Sequence, residues 1–262
     1  MFERSKDVEL NFRDEGDGTP VLMIHGVGSD LESWDGVVSH LGPERRFVRF
    51  DLRGHGHSRR TKGPYQLNDF VDDAVALLDH LDIKSAIIVG FSLGGLIAQA
   101  IALQHPKRVA RLCLISTIAG RTPDEQARVT ARAETLAREG ATAHLANAVD
   151  RWFSDGFRKA HPEVLEARRQ KSLQNDPESY VAAYRVLAGN DLGHQLAAIT
   201  APTLVLTGEH DVGSSPRMAA FIHRQISRSS LHILPGLKHS ILLEAPDQVA
   251  ALLDPFLADV SA

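Results

Sequence analysis

One serine, Ser92, lies between two glycines in Gly90-Phe91-Ser92-Leu93-Gly94, where an apolar run gives way to a helical pattern. This G-x-S-x-G spacing is typical of a nucleophilic serine on a tight strand-to-helix turn, where flanking side chains would clash with the strand or the helix. The same letters also occur in a plain glycine-rich turn. The strong strand pattern before Ser92 and the helical pattern after it favour the nucleophile.

A serine hydroxyl needs an imidazole to take its proton and a carboxylate to orient that imidazole. The strand pattern TLVLTGEHD ends at Asp211, and LHILPGLKHS ends at His239. The chain order of serine, acid and histidine is the one that accompanies this motif. We therefore predict Ser92, Asp211 and His239 as catalytic residues, with Glu209 as the alternative acid.

Acyl transfer also requires hydrogen-bond donors for the oxyanion that develops on the substrate. The backbone N–H of Leu93, directly after the serine, is one predicted donor. The segment MIHGVGSD offers a second donor in the N–H of Val27, because Gly26 and Gly28 allow the chain to turn inward. An ordinary strand-ending turn is the alternative for this segment.

The elements that must position these residues alternate between strand and helix patterns, which predicts a mostly parallel sheet with helices on both faces. LNDFVDDAVALLDHLD has one apolar helix face, with Asn68 as the predicted N-cap. Residues 120–195 have only helical patterns, including one helix with Asp176 as N-cap and Pro177 at its first position. We predict an α/β core of residues 1–119 and 196–262 with an inserted helical cap of residues 120–195.

Composition excludes several classes of protein. The chain of 262 residues is 43% hydrophobic and 24% charged, and its apolar runs are too short to span a bilayer. The N-terminal residues lack a secretory pattern, and the one cysteine, Cys113, lies in an apolar run typical of core packing. We expect a cytoplasmic protein without membrane segments.

Charge and histidine spacing argue against two kinds of partner. The net charge of -4 disfavours nucleic-acid binding, and we interpret the basic residues of 45–62 as a solvated, partly paired face. His55 and His57 lie in a glycine-rich turn without the spacing of metal ligands. The prediction is therefore an enzyme without a metal site, and the sequence predicts no oligomeric state.

The motifs together resemble the α/β-hydrolase superfamily over nearly the whole chain: the turn at His25-Gly26-Val27-Gly28, DLRGHGHS, GFSLGG, TGEHD and LKHS. Within it, GPYQLNDF, DRWFSDGF and DPESYVAAYRVLAGNDL resemble the 3-oxoadipate enol-lactonase family. The resemblance implies the α/β-hydrolase fold, hydrolysis of a small-molecule ester or lactone, and no cofactor. It also implies that Trp152 lines the substrate pocket, the alternative being a tryptophan in the core of the cap.

Two departures from that lactonase family leave the reaction open. The family often has Asn-Ser where this chain has His25-Gly26, and methionine where it has Leu93. Carbon–carbon bond hydrolysis, perhydrolysis and a non-catalytic ligand receptor therefore remain alternatives. A dicarboxylate-derived lactone would need a cationic partner, for which the cap offers five candidates: Arg121, Arg128, Arg132, Arg151 and Arg185.

Overall fold

Strands and helices alternate along the chain as the sequence predicts. The computed structural model describes residues 1–5 and 8–258. Its strands are β1 Phe2–Ser5, β2 Val8–Leu10, β3 Phe12–Glu15, β4 Thr19–Ile24, β5 Arg45–Phe50, β6 Ala86–Phe91, β7 Val109–Ile115, β8 Thr203–Gly208 and β9 Ser229–Leu234. Its helices are α1 Asp35–Val38, α2 Leu67–His80, α3 Leu93–Gln104, α4 Pro123–Trp152, α5 Asp155–Ala160, α6 Pro162–Gln174, α7 Pro177–Gly189, α8 Pro216–Gln225, α9 Ile241–Glu244 and α10 Pro246–Ala258.

The central sheet is mostly parallel, which confirms the predicted fold class. Among the described residues it has seven strands in the order β3-β5-β4-β6-β7-β8-β9, and β3 alone runs antiparallel. The chain passes from β4 to β5 on one side and returns to β6 on the other side of β4. Ligands of open α/β sheets bind beyond the carboxyl ends of the strands at such a reversal.

Two apolar layers cover the sheet. Helices α2 and α3 pack on one face, and α1 and α10 pack on the other. The apolar face of α2 is buried as predicted, including Phe70, Val71 and Leu77. The prediction of Asn68 as its N-cap was wrong, because Gln66 caps this helix and its backbone N–H donates to the Asp69 carboxylate at 2.7 Å.

Helices α4 to α7 lie between β7 and β8. Side chains of α4 and α7 form a separate apolar cluster that includes Leu136, Tyr180 and Tyr184. Asp176 caps α7 as predicted, with its carboxylate accepting the Ser179 N–H at 2.9 Å. We propose that these helices belong to a cap of residues 120–195 on a core of residues 1–119 and 196–262.

The basic segment around β5 differs from the solvated face that we expected. The side chains of Arg45, Arg49 and Arg53 are buried. Arg53 donates to both carboxylate oxygens of Asp73, at 2.7 and 2.8 Å, in a buried bidentate ion pair. The expectation was wrong for these three arginines, because β5 and the turn after it are buried and a buried guanidinium needs a charged or carbonyl partner. Arg59, Arg60 and Lys62 are exposed, as expected.

No helix within residues 1–5 and 8–258 is both long and apolar enough to cross a membrane.

Candidate active site

Ser92 occupies a strained turn between β6 and α3. Its backbone has φ +56° and ψ −114°, a left-handed conformation that costs free energy for any residue with a side chain. Two hydrogen bonds hold the turn: the Ser92 N–H donates to the Ile115 carbonyl at 2.9 Å, and the Thr117 hydroxyl donates to the Ser92 carbonyl at 2.8 Å. The serine is thus fixed at the carboxyl edge of the sheet.

The glycines around Ser92 have the steric role that the sequence predicts. A Cβ at Gly90 would lie 2.2 Å from the Gly94 carbonyl oxygen, and a Cβ at Gly94 would lie 2.0 Å from the Ile24 carbonyl oxygen. Both distances are far below van der Waals contact. The turn can therefore close only without side chains at these two positions.

Asp211 and His239 come together beyond the ends of β8 and β9. His239 Nδ1 lies 2.6 Å from Asp211 Oδ2, and Asp211 Oδ1 accepts the N–H groups of Gly213 and Ser214 at 2.8 and 2.9 Å. The Asp211 side chain is buried. A carboxylate held in this way can fix the tautomer and the orientation of an imidazole.

Glu209, the alternative acid, points elsewhere. Its side chain is half exposed, and its carboxylate accepts the Gly236 N–H at 2.8 Å. The histidine beside it, His210, is equally exposed and lies 3.8 Å from the same carboxylate. The geometry therefore favours Asp211 over Glu209 as the partner of His239.

Ser92, Asp211 and His239 all line one pocket between the sheet edge and the cap helices. The His239 ring lies 5.1 Å from the ring of Phe91, the residue directly before Ser92. The structure thus brings the three residues predicted for catalysis to one place, although they are far apart in sequence.

The predicted oxyanion donors lie at the same edge. Val27 lines the pocket, and a Cβ at the preceding Gly26 would lie only 3.0 Å from the Ser92 Cβ. Leu93 is the first residue of α3, where helix geometry leaves the backbone N–H without an intrahelical acceptor. Within the described residues, neither of these two N–H groups donates to a backbone carbonyl or a side chain.

His25 fixes the peptide that carries the Val27 N–H. Its Nε2 accepts the Leu52 N–H at 2.9 Å, so the ring proton resides on Nδ1, which donates to the Gly26 carbonyl at 2.7 Å. Burial lowers the pKa of His25 and keeps the ring neutral in this role. Because the C=O and N–H of a trans peptide point in opposite directions, the Val27 N–H is turned away from His25.

The pocket wall from the cap is aromatic and cationic. Trp152 lines it, as the resemblance to the lactonase family implies, and the Trp152 ring lies 5.4 Å beneath the guanidinium of Arg168. Other apolar and aromatic side chains of the pocket lining, from the core as well as the cap, are Val27, Phe91, Ile118, Val129, Tyr180, Tyr184, Leu187, Leu242 and Leu243.

Three of the five candidate arginines reach the pocket: Arg121, Arg132 and Arg151. Arg121 is already engaged, because its guanidinium donates to the carbonyls of Leu187 and Asn190 at 3.0 and 3.1 Å at the end of α7. Burial, followed by the charge of Arg132, lowers the pKa of Arg151. Arg132 and Arg151 thus place two guanidinium groups close together in this wall.

The other two candidate arginines, Arg128 and Arg185, are exposed and do not line this pocket. Sequence reasoning missed Arg168, which lines the pocket from α6. No local pattern singles out Arg168, because the element that it faces depends on how the cap helices dock.

Sequence reasoning also missed how Asp51 clamps the loops beside the site. Its carboxylate accepts the N–H groups of Leu31 and His57 at 2.7 and 2.8 Å and the Asn11 side chain at 2.8 Å. An aspartate directly after a buried strand was the available signal.

Of the two histidines in the glycine-rich turn, His55 is buried, whereas His57 is exposed. Within the described residues no group of three or more histidine, cysteine and acidic side chains is placed to hold a metal ion.

The family profile described as the alpha/beta hydrolase fold matches residues 19–246. The chain belongs to the α/β-hydrolase family of enzymes. This α/β-hydrolase is 32% identical to 3-oxoadipate enol-lactonase 2 of Acinetobacter baylyi over 92% of its length and 90% of that protein. It is 31% identical to a 2-hydroxymuconate semialdehyde hydrolase of Pseudomonas sp., covering 97% of this chain and 92% of that one.

A solved structure supports the same assignment. The malate-bound thermophilic esterase of Thermogutta terrifontis superposes with a TM-score of 0.89 at 32% identity, over 97% of this chain and 95% of that one. Lactonase, semialdehyde hydrolase and esterase thus share this fold at similar sequence distance.

Proposed function

We propose that this α/β-hydrolase opens a carboxylate-bearing enol-lactone, or a closely related ester, through an acyl-enzyme on Ser92. The observation that carries the proposal is the 2.6 Å contact between His239 Nδ1 and Asp211 Oδ2 at the pocket that Ser92 also lines. With Nδ1 facing the carboxylate, His239 Nε2 can accept the proton of the Ser92 hydroxyl.

The proposed reaction has two halves. In the first, Ser92 Oγ bonds to the lactone carbonyl carbon while His239 takes the hydroxyl proton, and the N–H groups of Val27 and Leu93 bind the oxyanion. The ring C–O bond then breaks, and His239 gives its proton to the departing enol oxygen. In the second half, His239 takes a proton from water while the water oxygen bonds to the acyl carbon. The bond between that carbon and Ser92 Oγ then breaks, and His239 returns the proton to Oγ, which releases the acid.

The proposed substrate carries a carboxylate because arginine side chains of the cap helices line the pocket beside Ser92. Arg132 forms no ion pair with any carboxylate in the described part of the chain; its Nε donates to the Arg128 carbonyl at 3.2 Å. Arg132 and Arg151 are the proposed carboxylate partners, with Trp152 against the apolar part of the substrate. The enol-lactonase and the malate-bound esterase among its relatives are consistent with an acidic ligand.

The proposal needs no metal or organic cofactor, since the nucleophile, the base and the donors all belong to the chain. It places the enzyme in the cytoplasm, where the thiol of Cys113, which is buried in the core, would remain reduced.

The experiment that tests the proposal follows the ultraviolet absorbance of 3-oxoadipate enol-lactone in the presence of the purified protein. We expect rapid loss of the enol-lactone signal with wild-type protein and background hydrolysis with Ser92→Ala. Equal rates in both proteins would contradict the proposal and favour a ligand receptor.

Carbon–carbon bond hydrolysis is a second candidate, favoured by the 31% identity to the 2-hydroxymuconate semialdehyde hydrolase. Cleavage of a ring-fission diketone without any opening of the enol-lactone would select this candidate. The same Ser92, Asp211 and His239 would then act on a ketone carbonyl rather than on a lactone.

A further inference from the structure

The loop after β4 is held from the cap side through one carbonyl oxygen. Gly28 O accepts Arg168 Nη1 at 2.8 Å and Asn175 Nδ2 at 3.2 Å. Arg168 lies on α6, and Asn175 is the residue that follows the last turn of this helix. A core loop and a cap helix are therefore joined at Gly28.

Arg168 is itself rigidly placed. Its Nη1 also contacts the Ser172 hydroxyl at 2.5 Å, and its guanidinium lies 5.4 Å from the centre of the Trp152 ring. Within residues 1–5 and 8–258 it forms no ion pair with a carboxylate. Its polar contacts thus go to the loop carbonyl and to its own helix, which suits a residue that positions the loop.

The orientation of the Gly28 carbonyl is coupled to that of the Val27 N–H through two peptide groups that share a hydrogen bond. The Gly28 carbonyl and the Ser29 N–H belong to one planar peptide, and the Ser29 N–H donates to the Gly26 carbonyl at 3.2 Å. The Gly26 carbonyl and the Val27 N–H belong to the next fixed plane. Rotation of the Gly28 carbonyl would therefore weaken the turn that orients the Val27 N–H.

Neighbouring side chains pack tightly against the turn of Gly26 to Gly28. Gly28 has φ +69°, and a Cβ there would lie 2.1 Å from the Tyr180 ring of α7. Gly26 packs against Ser92 on the other side, where a Cβ would lie 3.0 Å from the Ser92 Cβ. The turn is thus packed between the cap and the serine.

We propose that Arg168 is a positioning residue that aligns the Val27 N–H with the oxyanion by binding the Gly28 carbonyl. This inference rests on the proposed function, in which Val27 is an oxyanion donor. It implies that the oxyanion site is complete only when α6 is docked on the loop, so that docking of the cap and stabilisation of the transition state are coupled.

The test compares Arg168→Met, Arg168→Lys and Asn175→Ala with Arg169→Met as the matched control. Arg169 lies on the same helix but is exposed and pairs with Glu166 at 2.7 Å. The substrate is p-nitrophenyl acetate, which has no carboxylate for Arg168 to bind. The measurements are kcat, KM, the melting temperature, and the inhibition constant of a neutral trifluoromethyl ketone, which forms a tetrahedral adduct with a serine.

We expect Arg168→Met to lower kcat by about 10- to 100-fold with little change in KM, because a misplaced donor weakens the transition state more than the ground state. The inhibition constant should rise by a similar factor. Arg168→Lys should recover part of the loss, Asn175→Ala should give a smaller loss of the same kind, and Arg169→Met should match wild type.

Three results would overturn the inference. The first is an unchanged kcat and inhibition constant in folded Arg168→Met. The second is a rise in KM for a carboxylate-bearing ester alone, which would make Arg168 a substrate anchor. If Arg168→Met does not fold, an unchanged inhibition constant in folded Asn175→Ala is the third. Failure of the proposed function is distinguishable, because Ser92→Ala would then keep wild-type activity.

Discussion

Asp211 divides its two carboxylate oxygens between the backbone and His239. Oδ1 accepts the N–H groups of Gly213 and Ser214, while Oδ2 lies 2.6 Å from His239 Nδ1. The backbone contacts fix the carboxylate, and the fixed carboxylate orients the imidazole. This division of roles allows the contribution of Asp211 to orientation to be tested apart from its contribution to the fold.

Asp211→Asn should keep the fold and lose activity. An asparagine oxygen can still accept the two backbone N–H groups, but its amide would favour the wrong imidazole tautomer. We expect kcat for p-nitrophenyl acetate to fall by about 10³- to 10⁴-fold. Glu209→Gln is the control and should remain near wild type; the reverse ranking of the two variants would identify Glu209 as the acid.

Arg132→Gln should weaken the binding of carboxylate-bearing substrates selectively. Loss of a charge-assisted hydrogen bond is worth roughly 1.5–3 kcal/mol, so KM for the enol-lactone should rise by about 10- to 100-fold. KM for p-nitrophenyl acetate should stay within about twofold of wild type. Arg128→Gln, one turn away and outside the pocket, is the control. An equal rise for both substrates would argue against a carboxylate contact.

Gly94→Ala should destabilise the protein through a backbone clash. The new Cβ would lie 2.0 Å from the carbonyl oxygen of Ile24, the last residue of β4. Relief of this clash would require α3 to shift away from the central strand β4. We expect the free energy of unfolding in urea to fall by roughly 3 kcal/mol or more. Gly189→Ala, where nothing lies within 4 Å of the new Cβ, should be neutral or slightly stabilising. Equal effects of the two substitutions would contradict the clash.

The free energy of unfolding should fall as the pH drops from 7 to 5, because burial lowers the pKa of His55 to about 3. In the unfolded chain His55 binds a proton as the pH falls below about 6.5, whereas in the folded protein it stays neutral, so acid favours unfolding. The contribution of His55 to this loss is about 2 kcal/mol.

Urea unfolding at pH 7 and pH 5 measures this effect. His55→Asn retains a donor for the Arg53 carbonyl, which His55 Nδ1 contacts at 3.0 Å, and it should reduce the pH dependence. His194→Asn, a substitution of an exposed histidine, should leave the pH dependence as in wild type. A pH dependence unaltered by His55→Asn would show that His55 is not a buried neutral group.

The sequence predicted what depends on local pattern and on chain order. The parallel sheet follows from apolar runs such as 86–91, and Ser92 follows from the glycines that a tight turn requires. Asp211 and His239 were predicted because each follows a strand pattern, and parallel strands bring their carboxyl ends to one edge.

The sequence did not predict contacts that depend on how separate elements dock. Arg168 reaches Gly28 across 140 positions of chain, and no local pattern encodes that approach. The burial of Arg49 was missed because its charge suggested solvent, whereas its place in β5 puts it inside the sheet. Arg128 and Arg132 differ by about one helical turn, and only the tertiary structure separates the pocket residue from the exposed one.

The most direct test of the account is intact-protein and peptide mass spectrometry after rapid acid quenching of the enzyme during turnover of p-nitrophenyl acetate. The account predicts one acetyl group on the peptide that contains Ser92, and no adduct in Ser92→Ala. An acetyl group on another residue, or product formation by Ser92→Ala at the wild-type rate, would contradict it.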